Sequence, residues 1–453
     1  MHRRLALALL APAVFASAAA ASVVRVDHEG SGDHLTIQEG IWAAHPGDTV
    51  LVAPGTYSGP LNRNLDFGGT DLVLRSDEGP ALTVIDCQEA ARGFYFATGE
   101  GPTSIVEGFT VANGRVVGNG AGACCLGAAP SFVGCRFVGN IAEYGGDVAK
   151  GGGIYGEYCS IAIVDCAFDG NGARDGAGVF LRYSTVTVER CDFVANLASS
   201  GGGGLRIYYG DGAVTGCTFR ANSAVEYGGA LCMCHNALAI TGCTFVYNGS
   251  PDGSAIYGFN TTPTITNTIL AFGTEGNAIF CPESEFAVAH CCVFGNPGGD
   301  ALCGSVHDNL FVDPLLCDAG AEEVWLQDCS PCLGAGADGG DIGARGPGCI
   351  CGDPTSAADA PEAAARVAVA PNPFVGETAV RFDAPAGAAA RVAVHNLRGE
   401  VVRTLARERL DRGRHSFTWD GRDEGGRLVP SGVYFVRCEV GSGTSVGKAV
   451  LIR

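Results

Sequence analysis

No apolar run in this 453-residue chain, that at residues 5–15 included, is long enough to cross a bilayer, which takes about 20 residues. Runs with helical periodicity are scarce as well, so a helical core is excluded as the main architecture. Positive charge is thin over most of the length: residues 22–365 hold 13 basic and 39 acidic side chains, a balance of −26. Such a surface repels polyanions, which excludes nucleic acid as a partner and disfavours an anionic polysaccharide unless calcium screens it. No glycine cluster ends in Gly-Lys-Ser/Thr or opens a helix, so a phosphate-cradling loop is excluded too.

What the chain does have is glycine, 69 residues of it, within a composition that is 47% apolar. That combination predicts strands joined by tight turns. Five times the sequence writes Cys-x-Phe-x-x-Asn, at Cys135, Cys166, Cys191, Cys217 and Cys243, with spacings of 31, 25, 26 and 26 residues. A period of that size is one turn of a solenoid, a unit that cannot bury its apolar face without neighbours. Three residues before the cysteine stand Phe132, Ile163, Val188, Val214 and Ile240, and two after it Phe137, Phe168, Phe193, Phe219 and Phe245. The odd step from the first column to the cysteine demands a corner at the two intervening positions, after which cysteine and phenylalanine again face inward. The asparagine five residues on is expected to tie stacked turns together through its amide. Thr268 replaces the cysteine in one coil, so a thiol is not obligatory there. Glycine clusters such as Gly151-Gly152-Gly153 and Gly201 to Gly204 open each coil, where glycine allows tight corners and close backbone approach.

Residues 1–21 carry His2, Arg3 and Arg4, then the apolar run, then small residues, the layout of a cleavable export signal. Once it is removed, no transmembrane segment is expected. The expected location is therefore secreted or cell-surface, where the 21 cysteines can form disulfides. Cys329-x-x-Cys332 and Cys349-x-Cys351 have a spacing compatible with zinc, but in an exported chain disulfides closing the helix end are expected, with Cys303 and Cys317 as further partners. No metal or other cofactor is expected, calcium excepted if the protein is a lyase.

These repeats and glycines resemble right-handed parallel β-helix proteins of the pectin-lyase-like class. The resemblance covers residues 22–351 and implies an all-β fold. It extends to Thr36-Ile37-Gln38-Glu39-Gly40-Ile41-Trp42, read as a helix whose Ile37, Ile41 and Trp42 cover the open start of the core. After an Ala/Asp/Pro-rich linker at 352–366, residues 367–453 alternate short strands with turn signals, including Trp419-Asp420-Gly421 and Pro430-Ser431-Gly432, and suggest a small β-sandwich. Their order resembles Ig-like domains related to the flagellar hook-capping protein and to type IX secretion sorting domains. That implies a secretion or attachment address, with export machinery as its partner. Cys438 is expected to be a buried unpaired thiol.

For chemistry, the best cluster of outward acids and bases is Asp165, Asp169 and Asp175 in one coil with Arg182, Glu189, Arg190 and Asp192 in the next. If the protein is an enzyme, Asp165, Asp169, Arg182 and Asp192 are the candidates, acting as a polysaccharide lyase or glycoside hydrolase. No acidic pair recurs at one coil position, however, and the leading expectation is a non-catalytic surface. For binding, strand parity turns Tyr155, Phe180, Tyr208 and Tyr257 outward as an aromatic row suited to stacking on sugar rings. The expected partner is a polysaccharide or cell-surface glycan.

Overall fold

Each coil turns at left-handed corners, and these set the direction of every strand. In the coil containing Cys166, a strand at Ile154–Glu157 turns at Tyr158 into Ser160–Val164, turns again at Asp165 into Ala167–Asp169, and passes Gly170 into Gly172–Asp175. Every strand pairs in parallel with its equivalent one coil on: Ile154 with Val179, Ile161 with Val186, Phe168 with Phe193, Gly172 with Leu197. The computed structural model describes residues 21–143, 149–317 and 324–351, then 368–370, 374, 376–384, 388–396, 401–411, 413–440 and 443–451. Among them the coils build parallel sheets of eight, twelve, ten and five strands, an all-β solenoid. Residues 1–20 of the export segment, the linker and the turn residues at 371–373 and 397–399 lie outside the described residues.

The corner expected just before the cysteine falls on the residue immediately preceding it. Asp165, Arg190, Gly216, Gly242, Asn267 and His290 all have φ between 50° and 63°. Inside, Phe137, Phe168, Phe193, Phe219 and Phe245 stack with centroids 5.0, 4.8, 4.6 and 4.6 Å apart and nearly parallel planes. The asparagine column forms the expected ladder. Asn196 Nδ2 donates to Asn222 Oδ1 (2.9 Å) and to the Phe168 carbonyl (2.9 Å), while its own Oδ1 accepts from the Asn171 backbone N–H (3.1 Å) and Nδ2 (2.9 Å). The cysteines form a second ladder, in which the sulfurs of Cys166, Cys191 and Cys217 accept from the backbone N–H of the preceding coil's cysteine, as Cys217 does from Cys191 (3.4 Å). Thr268 Oγ1 takes the same bond from Cys243 (3.3 Å), which is why a hydroxyl can stand in for the thiol. Glycine is needed where coils touch: a Cβ on Gly153 would lie 2.4 Å from the Gly178 carbonyl, and one on Gly178 2.4 Å from that of Gly204.

The solenoid starts under a helix, Ile37–Ala43, whose Ile37 and Ile41 are buried while Trp42 is 68% exposed. Trp42 therefore does not cover the core; one residue beyond Ile41, it is rotated about 100° off the apolar stripe. At the other end the pairs are Cys281–Cys303, Cys317–Cys349 and Cys329–Cys351. Cys332, expected in a bridge, is instead a buried thiol in a small apolar cluster with Cys292, Leu326 and Ile342.

The C-terminal part is antiparallel, with sheets of three and four strands around a core of its own. Trp419 is fully buried there, with Nε1 donating to the Arg422 carbonyl (3.0 Å) and Tyr434 edge-on to its ring at 4.9 Å. Cys438 is a buried free thiol as expected, and burial pushes its pKa up to about 12. No helix among the described residues is long and apolar enough to cross a membrane.

Candidate functional site

The acid–base candidates do not converge. Asp165 occupies the corner before Cys166, and Arg190, one coil on, clamps both its oxygens at 2.7 and 2.9 Å. That guanidinium holds the Asp165 carboxyl below its ordinary pKa, the wrong direction for a general acid. Asp169 and Asp192 lie half-buried on the outside of the ten-stranded sheet. Asp192 is taken by Arg345 of the closing segment at 3.1 and 3.2 Å. Arg182 stands on a different face, at the end of the eight-stranded sheet, 3.6 Å from Glu157. The four candidates are thus split between two faces and a corner. Sequence proximity failed here because neighbours along a coil are separated by its corners.

The aromatic candidates lie on the outer face of the eight-stranded sheet, as strand parity required, but an outward direction does not mean exposure. Tyr155 and Phe180 are only 3% exposed and stack on one another at 5.7 Å, within an apolar cluster that includes Cys124. Lys150 Nζ sits 5.2 Å over the Phe180 ring, and Tyr155 donates its hydroxyl to Glu157 (2.8 Å). Tyr208 and Tyr257 are half-buried. The five-stranded sheet runs alongside this face: its Asp175 pairs with Arg206, and a Cβ on Gly201 would lie 3.5 Å from Cys232 Sγ. Tyr155 and Phe180 are therefore packing residues, not a sugar platform.

A second aromatic column, one residue beyond the eight-stranded sheet, does face solvent. Tyr158, Tyr183, Tyr209 and His235 occupy successive corners, with centroids 5.1, 5.2 and 4.4 Å apart and planes within 14° of parallel. All four have left-handed backbones, φ 49° to 55°. Such a conformation costs a non-glycine residue about 1–2 kcal/mol, and a parallel ring pair offsets about 0.5–1.5 kcal/mol. Arg182 lies 4.8 Å over Tyr183 and 5.9 Å over Tyr208, so its cation closes the inner flank of the stack. Asn260 caps the far end, its Nδ2 3.1 Å from His235 Nδ1. This column was available in the sequence. Each member stands eight residues before a ladder cysteine, namely Cys166, Cys191, Cys217 and Cys243, outside the columns that fill the core.

A groove of about 530 Å³ opens at the start of the column, lined by Tyr158, Gly127, Ser160, Thr185 and Glu100 among others. Glu100 is buried, accepting from the backbone N–H groups of Gly69 and Thr98, both at 3.1 Å. The cluster of Asp328, Cys329 and Cys351 has the proximity of a metal site, but both its cysteines are disulfide-bonded, which leaves one carboxylate as a ligand.

Residues 152–313 match the model of the right handed beta helix region, and residues 371–443 that of the FlgD Ig-like domain. Among solved structures, the pectate lyase Pel9A is 14% identical, with 72% of this chain and 96% of that chain covered at a TM-score of 0.41. A pectin methylesterase from carrot is 12% identical, with coverages of 64% and 88% and a TM-score of 0.32. At these values neither activity carries over. No curated protein gives a significant match.

Proposed function

Starting from a right-handed parallel β-helix of the pectin-lyase-like class with a C-terminal Ig-like domain, we propose that the chain is an exported, non-catalytic surface protein that binds glycan along one corner of its solenoid. The observation that carries this reading is the solvent-facing stack of Tyr158, Tyr183, Tyr209 and His235. Aromatic rings with polar tips, spaced by the coil repeat and flanked by Arg182 and Glu157, suit a chain of sugars that brings one apolar face and many hydroxyls. Catalysis by a lyase or hydrolase is the weaker reading, because Asp165, Arg182 and Asp192 are occupied by ion pairs and lie apart.

Affinity electrophoresis in gels containing neutral polysaccharides tests the binding site. The protein is expected to be retarded by at least one of them, and the Tyr183→Ala, Tyr209→Ala double variant to migrate as in a plain gel. Retardation unchanged by the double variant would remove the stack from the reading.

Export is supported by the charged-then-apolar layout of residues 1–21 and by three disulfides at the solenoid's end. The C-terminal domain is read as the address or anchor. Intact-mass measurement of protein recovered outside the cell checks the export signal, with loss of about the first 21 residues expected; a mass that retains them contradicts export by a cleaved signal.

A further inference from the structure

The stack of rings is closed at one end and open at the other. Beyond His235 the next corner is Asn260, whose amide meets the imidazole, whereas before Tyr158 the same corner is Gly127. The register is direct: Leu126 pairs with Glu157, so Gly127 and Tyr158 are equivalent positions in adjacent coils. One face of the Tyr158 ring lies on Tyr183, and the other faces a level where no side chain stands. The exposures agree, 66% for Tyr158 against 37% and 40% for Tyr183 and Tyr209, which have a ring on both sides. The vacant level opens into the groove of about 530 Å³, within the range of sites that hold small ligands.

From this geometry we infer that the groove is a slot for a single sugar ring, which stacks on the free face of Tyr158 as the missing rung of the ladder. The inference rests on the glycan-binding reading and narrows it to a neutral pyranose. The exposed polar groups beside the slot are the hydroxyls of Ser160 and Thr185, and the floor is made of small residues, Gly99, Gly101, Ala128 and Ala129. The single charged residue among the described lining is Glu100, whose carboxylate is already bonded to protein donors and disfavours an acidic sugar. No cation among the described residues lines the slot to pair with a uronate, and Arg182, on the flank of the stack, is already paired with Glu157.

The same geometry supplies an unusual test, because the chain can be made to fill its own slot. Gly127 has φ 61°, close to the 54°, 49° and 52° of Tyr158, Tyr183 and Tyr209, and a Cβ there meets nothing within 4 Å. Gly127→Tyr therefore adds a rung on a backbone that already accepts tyrosine in three successive coils. Gly127→Asn keeps the left-handed corner without supplying a ring.

Titration calorimetry of the full chain with cellohexaose, mannohexaose, maltohexaose and hexagalacturonate is expected to show binding of a neutral hexasaccharide and not of the uronate. Tyr158→Ala and Gly127→Tyr should each weaken that binding at least tenfold, and Gly127→Asn should change it less than twofold. Binding that Gly127→Tyr leaves unchanged or strengthens, while the Tyr183→Ala, Tyr209→Ala pair still removes it, would overturn the slot and leave the wider reading standing. Preference for hexagalacturonate would likewise overturn the slot. Failure of all four saccharides to bind would contradict the glycan reading, and the slot with it.

Discussion

Phe193→Ala is expected to lower the unfolding free energy of the solenoid by about 3–5 kcal/mol, read from the midpoint of chemical denaturation. Phe193 is fully buried between Phe168 at 4.8 Å and Phe219 at 4.6 Å, both within 8° of parallel. The cavity cannot collapse, because the flanking coils are held in register by the parallel pairing of Asp192 to Val194 with both neighbours. A solenoid's stability is a sum over coils and their interfaces, and this ring contributes to two interfaces at once. A loss under about 1 kcal/mol, below the usual cost of trimming a buried aromatic, would mean that the phenylalanine stack does not hold the coils together.

Asn196→Ala removes no comparable volume and is still expected to cost about 2–4 kcal/mol, since each orphaned buried polar group costs about 1–3 kcal/mol. The amide lies in the middle of a buried ladder and serves the Asn171 backbone N–H, the Asn171 side chain, the Phe168 carbonyl and Asn222. Alanine leaves the Asn171 N–H facing a methyl group where water does not reach. Asn196→Asp separates hydrogen bonding from volume: the carboxylate can accept as the amide does but cannot donate to Phe168 and Asn222 unless protonated. Its destabilisation should therefore be greater at neutral pH than in acid. Equal stability of Asn196→Ala and the unsubstituted chain would refute the ladder as a structural device.

The core of this fold was legible because its columns repeat in residue type. Cysteine, phenylalanine and asparagine each recur at one coil position, where cysteine fills the core and accepts backbone N–H groups, phenylalanine stacks, and asparagine bonds across coils. Parity alone placed a corner in the two positions before the cysteine, although Asp165, Arg190 and Gly216, which the structure shows to form it, share no chemistry. Side chains on the outside were harder to place, because strand parity gives direction and says nothing of cover. Tyr155 and Phe180 point outward as expected and are nonetheless buried, since the five-stranded sheet and Lys150 flank that face. Trp42 misled for the opposite reason, a large apolar residue read as a cap although it lies off the buried stripe. The Tyr158 column shows what a fuller alignment would have returned. It keeps the period of the ladder cysteines, but it lies in a corner, where an alternation of inward and outward residues has no meaning. The charged candidates failed through the same geometry: Asp165, Arg182 and Asp192 are close in sequence and belong to a corner, one sheet and another.

We propose that this solenoid holds glycan and does not transform it. Retention and turnover can be read from one incubation of the purified protein with neutral and acidic polysaccharides, by affinity electrophoresis of the protein and assay of the supernatant for new reducing ends and unsaturated uronides. Retention on a neutral polysaccharide with neither product released is the expected result. Release of either product above a heat-denatured control, abolished by substitution of Asp169 or Asp192, would identify an enzyme and rule out a surface that only binds.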